Sequence, residues 1–265
     1  MTFEELTAGF NEAQRDAVLY CDGPSLVVAG AGSGKTRVLT YKIAYLMTQG
    51  VEPWSILALT FTNKAANEMK QRIASIVGAE NARYLWMGTF HSIFLRILRV
   101  EHERIGFSQN FTIYDASDSK SLVKSIIKEM ELDDKTYKPS SILGRISMAK
   151  NQLQGAQDYY DSYLDYQQDM KDGVGQTRDI FLRYANRCRQ ADAMDFDDIL
   201  LYTYRLFDGN PDIAAKYEGR FKYVLVDEYQ DTNYAQHRIV WQLTQHRQKV
   251  CVVGDDAQRI YSFRG

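Results

Sequence analysis

Apolar positions fall along this chain in two rhythms. Up to about Arg104, short β-branched or apolar runs (Ser25–Ala29, Ile56–Thr60, Leu85–Thr89) alternate with stretches of helical periodicity such as Arg37–Met47. Strand and helix in regular succession predict an α/β fold, a parallel sheet flanked by helices. From Phe107 to Gln190 the strand signal fades, and polar helical patterns such as Asp118–Met130 and Ser140–Gln152 replace it, with turns near Pro139 and Gly173. Strand runs return at Tyr223–Val226 and Val250–Val253, each leading into an Asp-containing turn. The expected organisation is a discontinuous α/β domain, residues 1–106 and 191–265, interrupted by an all-helical insertion at 107–190. Within the insertion, Tyr159, Tyr160, Tyr163 and Tyr166 recur at helical spacing and are expected to serve core or interdomain packing.

Composition narrows the class without naming the chemistry. With 45% hydrophobic and 25% charged residues among 265, the chain has the profile of a folded soluble protein, not a disordered, collagen-like or membrane-spanning one. The 32 Lys and Arg nearly cancel the 34 Asp and Glu, so only the local distribution of charge can point to a polyanionic partner. Between Lys35 and Arg72, six bases (Lys35, Arg37, Lys42, Lys64, Lys70, Arg72) stand against Glu52 and Glu68, which makes this the anion-facing half. Between Asp192 and Asp231, ten acids stand against four bases, an excess suited to metal binding or to solvated helix faces. Cys21, Cys188 and Cys251 are scattered and form no close pair, as in a reducing compartment. The N-terminus has no apolar signal segment, and no run approaches the roughly 18 apolar residues of a membrane span, so a cytoplasmic location is expected.

The sharpest chemical signal is Ala29-Gly30-Ala31-Gly32-Ser33-Gly34-Lys35-Thr36, set between the first strand and a helical run. Gly30, Gly32 and Gly34 allow backbone angles that turn successive N–H groups into a concavity, and the helix N-terminus behind them adds partial positive charge. Polyphosphate suits such a cradle, with Lys35 reaching the β- and γ-phosphates and the Thr36 hydroxyl placed to ligate Mg²⁺. Ala29 stands where the strict pattern has glycine. A second signal is Tyr223-Val224-Leu225-Val226-Asp227-Glu228, in which four strand residues deliver two carboxylates to the strand's carboxyl end, where ligands of open α/β sheets sit. Asp227 is placed to hold Mg²⁺ and Glu228 to take a proton from an attacking water, although an acidic pair there also caps helices. A third is Leu59-Thr60-Phe61-Thr62-Asn63, whose hydroxyl and amide groups suit phosphate oxygens. Phe61 is either a face for an unstacked base or a core residue.

Together with Phe10-Asn11-Glu12-Ala13-Gln14-Arg15, Gly88-Thr89-Phe90-His91-Ser92, Met194-Asp195-Phe196-Asp197-Asp198 and Val253-Gly254-Asp255-Asp256-Ala257-Gln258-Arg259-Ile260-Tyr261-Ser262-Phe263-Arg264-Gly265, these segments make nearly the whole chain resemble the UvrD/Rep/PcrA-like helicases of superfamily 1. The resemblance implies a P-loop, RecA-like first motor lobe with a helical insertion, binding ATP and Mg²⁺ and acting 3′→5′ on single-stranded DNA and single/double-strand junctions. It implies a nucleotide site of Gln14, which reads the adenine edge, with Ala29, Gly30, Ala31, Gly32, Ser33, Gly34, Lys35, Thr36 and Arg37, and with Gln258 as γ-phosphate sensor. It implies DNA contacts from Phe61, Thr62, Asn63, Thr89 and His91, and base stacking on Tyr261 and Phe263. Two positions depart from the family pattern: Arg259 replaces a small serine beside Gln258, and Phe263 replaces tryptophan, keeping a stacking face of smaller area. Such motors also need a second, C-terminal lobe that supplies arginines, so residues 1–265 alone are expected to hydrolyse ATP poorly and not to unwind. Alternatives are the motor part of a helicase–nuclease subunit, a non-catalytic partner-binding module on the same fold, and a small-molecule P-loop kinase, which leaves the aromatic segments without a use.

Overall fold

The computed structural model describes residues 3–30, 32 and 34–255. Ala31, Ser33, Gln258, Tyr261 and Phe263 lie outside the described residues. Contacts group the chain into two units, one comprising residues up to Ile93, Asn210–Thr232 and those from Gln236, the other Phe94–Gly209 with Asn233–Ala235.

The first unit is built on the expected parallel sheet. Its strands are β1 (Ser25–Val28), β2 (Ile56–Thr60) and β3 (Trp86–Thr89), and in the second half of the chain Tyr223–Val226 and Val250–Gly254. Between these halves come two short strands of the other unit, β4 (Thr112–Ile113) and β5 (Ala193–Met194), so the last two sheet strands are β6 and β7. The sheet order is β1-β7-β6-β2-β3 and every neighbouring pair is parallel. Registers such as Leu57↔Val224 and Val226↔Val252 bring the carboxyl ends level. All five residues of β2 are buried, which is why its sequence Ile-Leu-Ala-Leu-Thr carries no polar alternation, as expected of a strand covered on both faces. At the sheet edge β1 alternates instead, leaving Leu26 and Val28 exposed.

Two helices that follow strands supply the core over this sheet. Leu39, Ile43 and Leu46 from Lys35–Thr48, and Met69 and Ile73 from Asn63–Val77, cluster with Ala58, Leu225, Cys251 and Val253. Each buried Leu, Ile or Met side chain of this kind contributes about 1.5–3 kcal/mol. The helix Asn63–Val77 begins where the Thr62 hydroxyl accepts from the Ala65 N–H at 3.1 Å, and it stops at Gly78, whose φ of +90° no helix continues. On its other side Lys35–Thr48 packs on the N-terminal helix Glu12–Leu19 through Phe10, Val18 and Val38.

The second unit has its own core, in which Val123, Ile126, Ile142, Ile146, Phe181 and Tyr184 meet from the helices Ala116–Glu129, Pro139–Asn151 and Thr177–Gln190. The sequence pattern drew the insertion at 107–190, where strand signal is lost; the packing unit begins at Phe94 and runs to Gly209. Its margins join through Arg99, 4.0 Å over the Phe111 ring, and Phe107, edge-on to Tyr202 at 5.2 Å. Periodicity reports that such helices are amphipathic but not what they pack on. The unit also holds the β4–β5 pair, two residues a strand, too short to leave a pattern. The tyrosine run is not one helix: Ser162 ends Ala156–Asp161 and caps Tyr163–Lys171. Tyr159 is core, whereas Tyr163 is 69% exposed, which corrects the packing expectation for that residue. Tyr160 and Tyr166 instead flank the Arg178 guanidinium at 4.7 and 4.0 Å.

The acids of 192–231 gather no metal-type cluster among the described residues. Asp195 and Asp198 cap one another's backbone and both reach the buried Lys150 ammonium, at 2.7 and 2.8 Å, while the Tyr184 hydroxyl donates to Asp195 at 2.7 Å. No described helix is long and apolar enough to cross a membrane.

Candidate functional site

Four of the five parallel strands end at one cavity of about 800 Å³. β1 leads into the glycine-rich turn, β7 delivers Asp255, β6 delivers Asp227 and Glu228, and β2 delivers Thr60, Phe61 and Thr62. Because β7 lies between β1 and β6, the turn and the acidic pair flank it, so residues some 190 positions apart in sequence face one another.

In the turn, Gly32 and Gly34 have φ of +76° and +85°, the left-handed region that glycine occupies without a side-chain penalty. Gly30 does not share this conformation, so its role as a turn-former in the sequence reading is not needed here. Gly34 is the N-cap of Lys35–Thr48 and itself supplies no side-chain cap; a helix N-terminus of this kind suits an anion, since its first-turn N–H groups have no partner within the helix and its dipole favours negative charge. A Cβ on Gly34 would stand 3.4 Å from the Gln14 amide nitrogen. Gly34→Ala is therefore expected to lower unfolding free energy by about 1–2 kcal/mol, the cost of a left-handed L-residue, and to weaken nucleotide binding. Parallel thermal melts and titrations with a fluorescent ATP analogue check this; an unchanged melting midpoint would contradict it.

The acidic side of the cavity is organised around Asp227. Its Oδ2 accepts from the Thr36 hydroxyl at 3.1 Å and its Oδ1 from the Glu228 N–H at 3.0 Å, while its own N–H donates to the Leu59 carbonyl at 3.0 Å. Burial raises its pKa above the ordinary carboxylate value, with the Thr36 hydrogen bond opposing and the Glu228 charge reinforcing the shift. Glu228 follows in a left-handed conformation, φ 48° and ψ 45°, uncommon for a residue with a side chain. Its side chain is 41% exposed and one oxygen lies 4.0 Å from the Lys35 ammonium. Lys35, only 8% exposed, sits 3.3 Å from Asp255.

The site also takes in residues with no role in the sequence reading. Asp255, Gln230 and Arg72 line the cavity. Asp255 could have been found by position, since it follows a strand as Asp227 does; Arg72 stood among the six bases of the anion-facing half, and Gln230 in the Asp227-Glu228-Tyr229-Gln230-Asp231 segment that resembles the family's acidic motif, but neither had a role of its own. Of the six bases of the anion-facing half, Lys35, Arg37 and Arg72 line the cavity. Lys42 does not: it is buried and donates to the Ala17 carbonyl at 2.8 Å and to that of Tyr20, ending the helix Glu12–Leu19.

Phe61 sits between core and cavity. The ring rests on Phe90 with centroids 5.4 Å apart and planes tilted by 57°, is half-buried, and also borders the cavity. Beside it the Thr62 hydroxyl is engaged as a helix cap, and Asn63 is exposed at the first helical position. Thr89 and His91 are not among the residues lining this cavity; the Thr89 hydroxyl caps the following helix, accepting from the Ser92 N–H at 3.2 Å. Gln14 closes a capping box with Asn11, its Oε1 accepting from the Asn11 N–H at 3.0 Å, which leaves the amide nitrogen beside Gly34. The Arg37 guanidinium lies over Phe10 at 4.5 Å and Tyr41 at 5.5 Å.

Residues 10–265 match the family model described as the UvrD/REP helicase N-terminal domain. The chain belongs to the UvrD/Rep helicase family. Relatives bearing the name ATP-dependent DNA helicase PcrA include that of Bacillus subtilis strain 168, 47% identical over 98% of this chain and 34% of its own length. That of Leuconostoc citreum is 45% identical over 100% of this chain and 35% of its own length. That of Staphylococcus aureus strain Mu50 is 44% identical over 96% and 34%. This UvrD/Rep-family chain thus spans about a third of the length of the curated relatives it matches.

Proposed function

We propose that the chain is the ATP-binding motor lobe of an ATP-dependent DNA helicase that moves 3′→5′ on single-stranded DNA and opens single/double-strand junctions. The observation that carries this reading is the shared cavity: Lys35, Thr36, Asp227 and Glu228 line it together with Phe61 and Thr62. A nucleotide and an unpaired strand would therefore meet the same sheet edge. The PcrA relatives support the DNA-helicase half of the proposal through their names.

The residues present fit both ATP and Mg²⁺. The helix N-terminus at Gly34, the two left-handed glycines and Lys35 suit a triphosphate, Arg37 lines the same cavity, and Gln14, whose amide nitrogen lies beside Gly34, would read the adenine edge. Thr36 and Asp227, two hard oxygen donors already in contact, would hold Mg²⁺, which takes one or two protein ligands and completes its shell with phosphate and water. The metal supplies neutralisation of charge between the phosphates when bound. Asp227, committed to Thr36 and to its own backbone neighbour, orients that donor pair. Glu228, more exposed and turned to the cavity, accepts the proton of the attacking water. Lys35 compensates negative charge at the far phosphates, and Arg72 adds a further cation to the cavity wall. Phe61 offers the ring face on which an unstacked base lies, with Thr62 and Asn63 next to the backbone. A second lobe, from the part of the relatives' length beyond this match, would close the cleft.

The test is ATP hydrolysis and DNA binding by the intact protein. Single-stranded DNA is expected to stimulate the wild-type ATPase. Phe61→Ala is expected to weaken single-stranded DNA binding about tenfold, since stacking on one aromatic contributes about 1–3 kcal/mol per base. No stimulation by DNA in the wild type, or unchanged DNA affinity in Phe61→Ala, would contradict the reading.

A further inference from the structure

We infer that Gln230 is a positioning residue for hydrolysis, acting through Glu228: its side-chain amide clips the acid to the carboxyl end of β7. The inference rests on the proposed role of Glu228 as proton acceptor and extends it to a residue to which the sequence reading gave no role.

The geometry is a two-ended contact. Gln230 Nε2 donates to Glu228 Oε2 at 2.5 Å, and Gln230 Oε1 accepts from the Asp255 N–H at 3.1 Å. Neither partner can exchange roles: an ionised carboxylate only accepts and a backbone N–H only donates, so the amide is held in one orientation. Gln230 is 8% exposed; its bond with the Asp255 N–H is buried, while its bond to Glu228 is partly open to the cavity. The chemistry explains the residue type. A glutamate at this position would lose the donor, an asparagine would be one methylene short, and an apolar side chain would leave the Asp255 N–H without this acceptor.

Glu228 needs such a partner more than most carboxylates do. Its backbone is left-handed, and the 3-10 turn Tyr229–Asp231 that follows carries Gln230 back toward the acid. The turn is itself fixed, with the Asp231 N–H donating to the Glu228 carbonyl at 2.9 Å, the Thr232 hydroxyl donating to the Tyr229 carbonyl at 2.6 Å, and the Tyr229 hydroxyl paired with His237 Nδ1. The carboxylate is 41% exposed and would otherwise sample several rotamers. Through Gln230 the acid, Asp255 and the Lys35 ammonium, 3.3 Å from Asp255, become one connected set, so displacement at the end of β7 is transmitted to the acid.

The experiment is steady-state ATPase of the intact protein with saturating single-stranded DNA, for Gln230→Glu and Gln230→Ala, each with and without Glu228→Gln. Alone, each Gln230 variant is expected to lower kcat about tenfold or more with KM for ATP within about twofold, a part of the roughly 10²–10⁴-fold that a positioned base supplies. In the Glu228→Gln background the same changes are expected to alter the residual rate less than about twofold, because residues that act as a unit are non-additive. Should Gln230→Ala lower the melting midpoint, the nearly isosteric Gln230→Glu still decides the matter. A kcat within about twofold of wild type, or the same fractional loss in both backgrounds, would overturn the inference. Wild-type protein without ATPase activity would overturn the proposed function and this inference together; an active wild type with additive variants overturns this inference alone.

Discussion

Glu228→Gln is expected to reduce DNA-stimulated ATP hydrolysis by about 10²- to 10⁴-fold while nucleotide affinity stays within about twofold. The two neighbouring carboxylates differ in surroundings, and the proposed roles follow that difference. Asp227 is buried and bonded at both oxygens, to Thr36 and to the Glu228 N–H. Glu228 is more exposed and has one oxygen on Gln230. A group that receives a proton needs access to the cavity, which Asp227 has least. The amide of the variant keeps size and polarity but is not basic, so binding survives and turnover does not. Paired kcat measurements and titrations with a fluorescent ATP analogue separate the two. A kcat within tenfold of wild type would assign proton acceptance elsewhere.

The second large effect is on stability and lies in the helical unit. Lys150→Met removes the cation from a buried set in which Asp195 and Asp198 share one ammonium, and is expected to destabilise the protein by about 3–5 kcal/mol, the cost of breaking a buried pair from one side. Burial draws the lysine's pKa down, but the two carboxylates outweigh it and hold the pKa above the ordinary value. Asp195, also drawn up by burial, is held below the usual carboxylate range by Lys150 and Tyr184. Burial pushes Asp198 up to about 6. In Lys150→Met both acids lose their counter-charge, so their folded pKa values rise above the unfolded ones and the native state binds more protons than the unfolded state. Stability then falls as pH rises. The deficit against wild type is thus expected to be larger at pH 8 than at pH 5, where the acids take up protons. Urea titrations at both pH values check the magnitude and the sign; an equal deficit at the two would count against the ion set.

The sheet was legible because parallel strands buried on both faces read as unbroken apolar runs: β2 and β6 stand out, and their ends point to Thr60–Thr62 and Asp227–Glu228. The glycine-rich turn was legible because left-handed backbone at Gly32 and Gly34 demands a residue type that spacing reveals. What the sequence hides is partnership across long separations. Lys42 looks like one more cation of a basic half, and only the fold shows it capping a helix by way of the Ala17 carbonyl. Asp195 and Asp198 look like helix caps, and they are, yet Lys150 some 45 residues earlier makes them an ion set. Gln230 and Asp255, 25 residues apart, matter through one hydrogen bond that no periodicity encodes. Tyr163 failed as a packing residue because Ser162 breaks the helix that its spacing presumed.

If nucleotide and DNA share one edge of the sheet, the binding of each must be linked to that of the other. Single-stranded DNA affinity of the intact protein, measured with and without a non-hydrolysable ATP analogue and Mg²⁺, is predicted to change by about fivefold or more, and analogue affinity by the same factor when DNA is added. Identical DNA affinities in the two conditions would mean that the two ligands do not meet at this edge.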